Sequence, residues 1–287
     1  MFNISLAIIC AALLVIIFKF FERYHINTFP AIIVNYATCT FIAYFFVDNF
    51  SFQKILSTSW IGFAFMLGAI FISIFFLTSQ TAKYFGASTA AVSMKLGLIF
   101  PIIFSAIIYH ESFSNAKIIG VAFALIAVVL SSWKHNDRTY AHNRLVLFLP
   151  AIVFLGSGAC DSIVQFMQKT YVKDTESPVF TFALFLAALA AGFSVLTMSF
   201  FRKKSGIRFR EIIGGIALGV PNYFSIHFLL KALNQGDFNS SAIFPVVNIG
   251  TVATATIFSL FYFKEKLSLV NWIGLAFAII GIIFMFQ

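Results

Sequence analysis

Two formal charges, Lys95 and Asp161, lie deep inside long apolar runs of this chain. An ionised side chain at mid-membrane costs about 2.5–3.5 kcal/mol on insertion scales, so such residues usually face a cavity or a partner. Lys95 stands about eight residues into its run, roughly 12 Å along a helix at the α-helical rise. An ammonium there attracts a carboxylate or a phosphate. The competing readings are a structural ion pair with Asp161 and an amine snorkelling to the headgroups. Asp161 heads a polar stripe with Gln165 and Gln168, spaced i, i+4 and i+7 on one helical face. Such a face can bind an amine or hydroxyls or relay a proton, and it can equally be polar glue between helices.

Further along, Pro221-Asn222-Tyr223 is followed by His227. Proline frees a carbonyl one turn earlier, and Tyr223 and His227, four apart, share a face. His227 can bind a solute or change protonation near neutrality; as a lone histidine it can also be a packing residue. Asn248 with Thr251 makes another polar patch, and Asn35 with Tyr36 a smaller one. The substrate-binding candidates are therefore Lys95, Asp161, Gln165, Asn222, Tyr223, His227 and Asn248, with no catalytic residue, no metal ligands and no cofactor.

The elements that must position them follow from composition. Hydrophobic residues make up 61% of the 287 positions, charged residues 10%, and mean hydropathy is +0.97. A soluble domain is about a quarter charged, so the solvent for most of this surface is lipid. Apolar runs separated by short polar breaks predict ten spans, at about 2–21, 29–47, 58–80, 87–109, 115–133, 145–168, 178–201, 211–231, 240–263 and 269–286. Helices are expected because backbone groups cannot stay unpaired in hydrocarbon; the strict alternation of barrel strands is missing. Met1 to Phe18 reads as a retained first helix without a signal-peptide cleavage pattern. Cys10, Cys39 and Cys160 fall inside spans as packing residues rather than as a disulfide framework.

The net charge of +9 sits in membrane-flanking loops, which points to orientation and anionic headgroups rather than to nucleic acid. Loops after the odd-numbered spans carry most of the basic residues, among them Arg23, Arg138, Lys203 and Lys266. The opposite side has Lys54, Lys117, Lys169, Lys173 and Lys231. By the positive-inside rule both termini lie outside an inner (cell) membrane.

An internal repeat appears at an offset of 154 residues: Tyr109-His110-Glu111-Ser112 through Ala122-Phe123-Ala124 matches Phe263-Lys264-Glu265-Lys266 through Ala276-Phe277-Ala278. Glu111 pairs with Glu265 and Gly120 with Gly274 in one ungapped register. This divides the chain into residues 1–135 and residues 143–287, five spans each. An odd number of spans per half turns the halves upside down relative to each other, the arrangement of many secondary transporters. At the helix ends, Glu111 and Glu265 read as turn anchors. Gly215-x-x-x-Gly219 reads as a close-packing stripe.

The stretch Gly86-Ala87-Ser88-Thr89-Ala90-Ala91, a span with Pro101, then Tyr109-His110-Glu111-Ser112-Phe113 and Ile119-Gly120 resembles the repeat of EamA-type members of the drug/metabolite transporter superfamily. The second copy runs Asn239-Ser240-Ser241-Ala242, Pro245, Lys264-Glu265-Lys266-Leu267 and Ile273-Gly274. The resemblance implies ten helices, a central cavity and the export or uptake of metabolites. The family's Trp-Gly pattern in the first helix of each half has no match in the first half; the second offers Leu155-Gly156.

The expected function is thus a secondary transporter, exporter or permease, for a small polar solute that is amino-acid-like or an organic anion. A multidrug or cation efflux carrier is the alternative. The absence of a P-loop leaves a gradient, or the solute itself, as the energy source. An intramembrane enzyme would need a motif such as H-E-x-x-H or G-x-S-x-G, and neither occurs. A channel would need symmetric charged rings or a filter sequence. The expected partners are the solute and the bilayer, with a monomer or a homodimer as the working unit.

Overall fold

A computed structural model of the chain describes residues 1–47, 51–85, 93–110, 114–131, 148–172, 174–201, 208–235, 240–262 and 268–285. Glu111, Glu265, the Gly86–Ala91 stretch and half of the loop lysines and arginines lie outside the described residues. Every regular element among the described residues is helical. The long helices are α1 (Phe2–Arg23), α2 (Thr28–Phe45), α3 (Ile61–Phe85), α4 (Ile99–Ile108), α5 (Asn115–Ser131), α6 (Leu149–Thr170), α7 (Ser177–Phe201), α8 (Phe209–Asn234), α9 (Ser240–Tyr262) and α10 (Leu269–Met285). By length and composition, α2, α3, α6, α7 and α8 can each cross a membrane, and shorter apolar segments run through α1, α4, α5, α9 and α10. Hydroxyls within these helices bond to the carbonyl one turn back, as Thr40 does to Tyr36 and Thr78 to Ile74, both at 2.8 Å. A serine or threonine can therefore sit in a span without an orphaned group.

The chain forms two compact units, Met1–Ser73 with Phe166–Asn234 and Ile74–Gln165 with Gln235–Gln287. Compact unit and sequence half are different divisions of this molecule. Each unit draws helices from both halves, and α3 and α6 each contribute to both units.

In the first unit α8 packs along α1 and α2, and α2 also packs on α7. Small residues set how closely α8 and α2 approach. A Cβ at Gly215 would lie 2.6 Å from the Ala31 carbonyl oxygen, and one at Gly219 2.8 Å from that of Asn35. The Gly215-x-x-x-Gly219 stripe is therefore the contact face for α2, as its spacing suggested. Trp60 is buried edge-on against Phe180, and its indole N–H donates to Glu176 Oε2 at 3.2 Å.

Glu211, 2% exposed, stands at the third position of α8. Its carboxylate accepts from the Arg208 N–H at 2.8 Å and from the Asn27 N–H at 3.4 Å. These are the N-cap amides of α8 and α2, so one anion serves the starts of two helices. Glu211→Ala strands both amides and is expected to lower stability by about 2–4 kcal/mol. Glu211→Gln, which keeps an acceptor, should lose less than half of that. Thermal unfolding in one detergent compares the two, and equal melting temperatures for both variants and wild type would refute the bridging role.

In the second unit α5 packs along α10, and α9 contacts α4, α5 and α10. Phe123 stacks on Phe277 with ring centroids 5.2 Å apart, and these two positions are related by the 154-residue offset.

The stretch about 87–109, expected as one continuous span, is interrupted. A helical turn at 93–96 ends in a turn at Gly97-Leu98 before α4 begins. The Leu98 N–H donates to the Lys95 carbonyl at 3.2 Å, one residue short of the helical partner, which frees the Met94 carbonyl. Ser157 of α6 fills that gap, its hydroxyl donating to Met94 O at 3.0 Å. A side chain from a neighbouring helix thus satisfies the carbonyl that the break frees.

Candidate functional site

Lys95 sits on the last helical turn before this break. Its Nζ donates to Asn248 Oδ1 of α9 at 2.9 Å. Asp161 of α6 lies close enough to Lys95 and to the Asn248 side chain for both to act on its carboxylate electrostatically. Lys95, Asp161 and Asn248 are all half-buried, each keeping some accessible surface. The second unit therefore gathers a cation, an anion and a primary amide from three separate stretches of chain.

Glycines make that gathering possible. A Cβ at Gly97 would lie 2.5 Å from Ser157 Oγ and 2.8 Å from Gly158 N; one at Gly158 would lie 2.8 Å from Gly97 O and inside the Phe100 ring. The backbone bearing Lys95 and that bearing Asp161 thus cross with no side chain between them. Sequence reading passed over Gly97, Ser157 and Gly158. The signal was present in the run Gly156-Ser157-Gly158, which leads into Asp161.

Gln165 is fully buried, and its amide nitrogen donates to Ser105 Oγ of α4, while Oε1 has no hydrogen-bond partner among the described residues. Thr251 is buried and donates back to the Val247 carbonyl at 2.6 Å, so its hydroxyl serves its own helix rather than a patch with Asn248. Gln168 belongs to the first unit. Its amide donates to Ser177 Oγ at 2.7 Å and to Asn234 Oδ1 at 2.6 Å. The stripe expected along one face of α6 is thereby shared among three different surroundings.

Asn222, Tyr223 and His227 belong to the first unit. The Asn222 amide donates to Asn35 Oδ1 at 3.1 Å, next to Cys39, whose thiol donates to the Gly219 carbonyl at 3.3 Å. Tyr223 is fully buried, and its hydroxyl has no hydrogen-bond partner among the described residues. The His227 ring stacks on Tyr223 at 5.6 Å and also meets Phe46 at 5.3 Å and Phe228 at 5.4 Å. The four-residue spacing of Tyr223 and His227 thus produces the shared face it implied, lined by aromatic rings.

Comparison with known proteins adds three findings. The EamA-like transporter family matches over residues 1–133 and again over residues 148–287. A Haemophilus influenzae protein described as uncharacterised is 30% identical over 290 residues, which span 98% of this chain and 96% of that one. A solved structure described only as the crystal structure of a protein has a TM-score of 0.73 at 15% identity, covering 99% of this chain and 94% of that one, and shows a shared fold.

Proposed function

The chain belongs to the EamA-like transporter family, and from that premise we propose that it is a secondary transporter for a small carboxylate-bearing metabolite, amino-acid-like or an organic anion. The observation that carries this reading is the pairing of Lys95 with a neutral amide, at 2.9 Å, instead of with a carboxylate. An ammonium in a low-dielectric setting gains more from an anion than from an amide. A solute carboxylate is therefore the better partner, and the nearby Asp161 suits an amine on the same solute. Binding at Lys95, Asp161 and Asn248, with Gln165 one turn further along α6, would be followed by exposure to the opposite side. We take the ten apolar helices as ten spans in two inverted halves, with both termini outside an inner membrane. Asp161 and His227 are the groups that can couple transport to protons.

A cation or multidrug efflux reading rests on the other unit. There Phe46, Tyr223 and Phe228 surround His227 with aromatic faces that suit organic cations. Asn222, Tyr223 and His227 form the candidate site on that reading.

Counterflow in proteoliposomes separates the possibilities. Radiolabelled amino acids, organic acids and organic cations are offered with and without the unlabelled compound inside. Saturable uptake of a carboxylate-bearing compound, accelerated by counter-substrate, is the expected result. Flux that never saturates would indicate a pore, and acceleration by cations alone would move the site to the aromatic group. Repeating the assay with an imposed pH gradient tests coupling, and identical rates would remove the proton.

A further inference from the structure

An ammonium among apolar helices needs an acceptor at every stage of its working cycle. Lys95 takes that acceptor from its own chain, through Asn248 Oδ1. A primary amide has two ends of opposite character, an acceptor oxygen and a donor nitrogen on the same carbon. With its oxygen on Lys95, the nitrogen is the end that remains for an anion, and Asp161 is the carboxylate close enough to feel the same side chain electrostatically. The carboxylate and ammonium of an α-amino acid present the same polarity over a similar span. Asn248 keeps accessible surface between the buried Val247 and Ile249.

We propose that Asn248 is a built-in stand-in for the solute, holding Lys95 through its amide between transport cycles and giving way when a zwitterion enters. The inference rests on the reading of Lys95 as the solute's anchor and adds how that anchor is kept available. A direct Lys95–Asp161 pair would be self-satisfied, and the solute would have to break a buried ion pair to bind. An amide is a weaker acceptor than a carboxylate, so the solute displaces it. The returning amide then competes for Lys95 and speeds release. Asn248 is therefore a residue that sets affinity against turnover.

The test uses the full-length protein with Asn248→Ala, Asn248→Ser and Asn248→Asp. The probes are L-leucine and L-phenylalanine, each beside the matching 2-hydroxy acid and the matching decarboxylated amine. Binding is followed by calorimetry in detergent and transport by counterflow. Removing the competitor in Asn248→Ala should tighten amino-acid binding by about tenfold, the factor that a hydrogen bond to a charged group commands. The maximal transport rate should fall together with KM, because release has lost its driver. Asn248→Asp, which gives Lys95 a permanent carboxylate, should abolish binding. Asn248→Ser is run alongside, so that a folding failure of the alanine variant leaves a second variant to decide.

Weaker amino-acid binding in folded Asn248→Ala or Asn248→Ser would overturn the stand-in role while leaving Lys95 as the anchor. If wild type binds none of the probes, or binds them equally well after Lys95→Ala, the anchor reading itself fails and the stand-in fails with it. Equal binding of amino acid and 2-hydroxy acid would restrict the mimicry to the carboxylate end and overturn the zwitterion.

Discussion

Lys95→Met is expected to abolish saturable transport, lowering kcat/KM by at least about thirtyfold, while the protein still folds. Truncating one member of a desolvated, hydrogen-bonded charge pair costs about 2–5 kcal/mol in recognition, which corresponds to this factor or more. The methionine side chain fills similar space with no charge to bury, so the fold loses packing only slightly. It does leave Asn248 Oδ1 without its donor and Asp161 without a nearby cation. The double variant Lys95→Met with Asp161→Asn removes both charges and is expected to melt at or above the wild-type temperature, because no charged group is then held among the apolar helices. It should remain inactive. That combination distinguishes a binding site from a structural ion pair. If the two single variants melt early and the double variant regains both stability and transport, the charges are mutual structural partners and the proposed site is wrong.

Gly158→Val is expected to carry the largest stability loss of any single change near the site, about 3 kcal/mol or more. Its side chain would be built 2.8 Å from the Gly97 carbonyl oxygen and into the Phe100 ring, and neither a backbone carbonyl nor a tightly held helix crossing yields easily. Gly158→Ala is the more informative version. Its single methyl forces α6 and the 93–98 stretch apart by a fraction of an ångström to an ångström, enough to lengthen the approach of Asp161 to Lys95 and Asn248. Transport should therefore fall more steeply than stability. The control is Gly62→Ala, where an added Cβ meets nothing within 4 Å. That change should be neutral or stabilising by up to about 1 kcal/mol, through helix propensity alone. Melting temperature and counterflow rate measured on all three variants test the argument, and equal tolerance at Gly158 and Gly62 would disprove the close crossing.

The sequence by itself determined the helices and roughly where they run. Runs read at about 178–201, 240–263 and 269–286 correspond to Ser177–Phe201, Ser240–Tyr262 and Leu269–Met285. The reason is local: in hydrocarbon the backbone must satisfy itself, so a long enough apolar run has only the helix available. The two expensive charges, Lys95 and Asp161, were also legible, since an ionised group inside an apolar run stands out whatever surrounds it. The Gly215-x-x-x-Gly219 contact belongs here as well, because spacing along one helix defines the face.

Only tertiary structure decided which groups meet. From sequence, Asp161 was the side chain weighed as a partner for Lys95; the packing supplies Asn248, 153 residues away, as its acceptor. The interruption after Lys95 depends on Ser157 from another helix to satisfy the Met94 carbonyl, which no reading of residues 87–109 alone could supply. Asp161, Gln165 and Gln168 share a face by spacing, yet α6 passes from one compact unit to the other between Gln165 and Phe166. Gln165 therefore turns to Ser105, and Gln168 to Ser177 and Asn234. Periodicity defines a direction around a helix axis. What stands in that direction is set by the neighbouring helices, whose approach here is controlled by a few glycines.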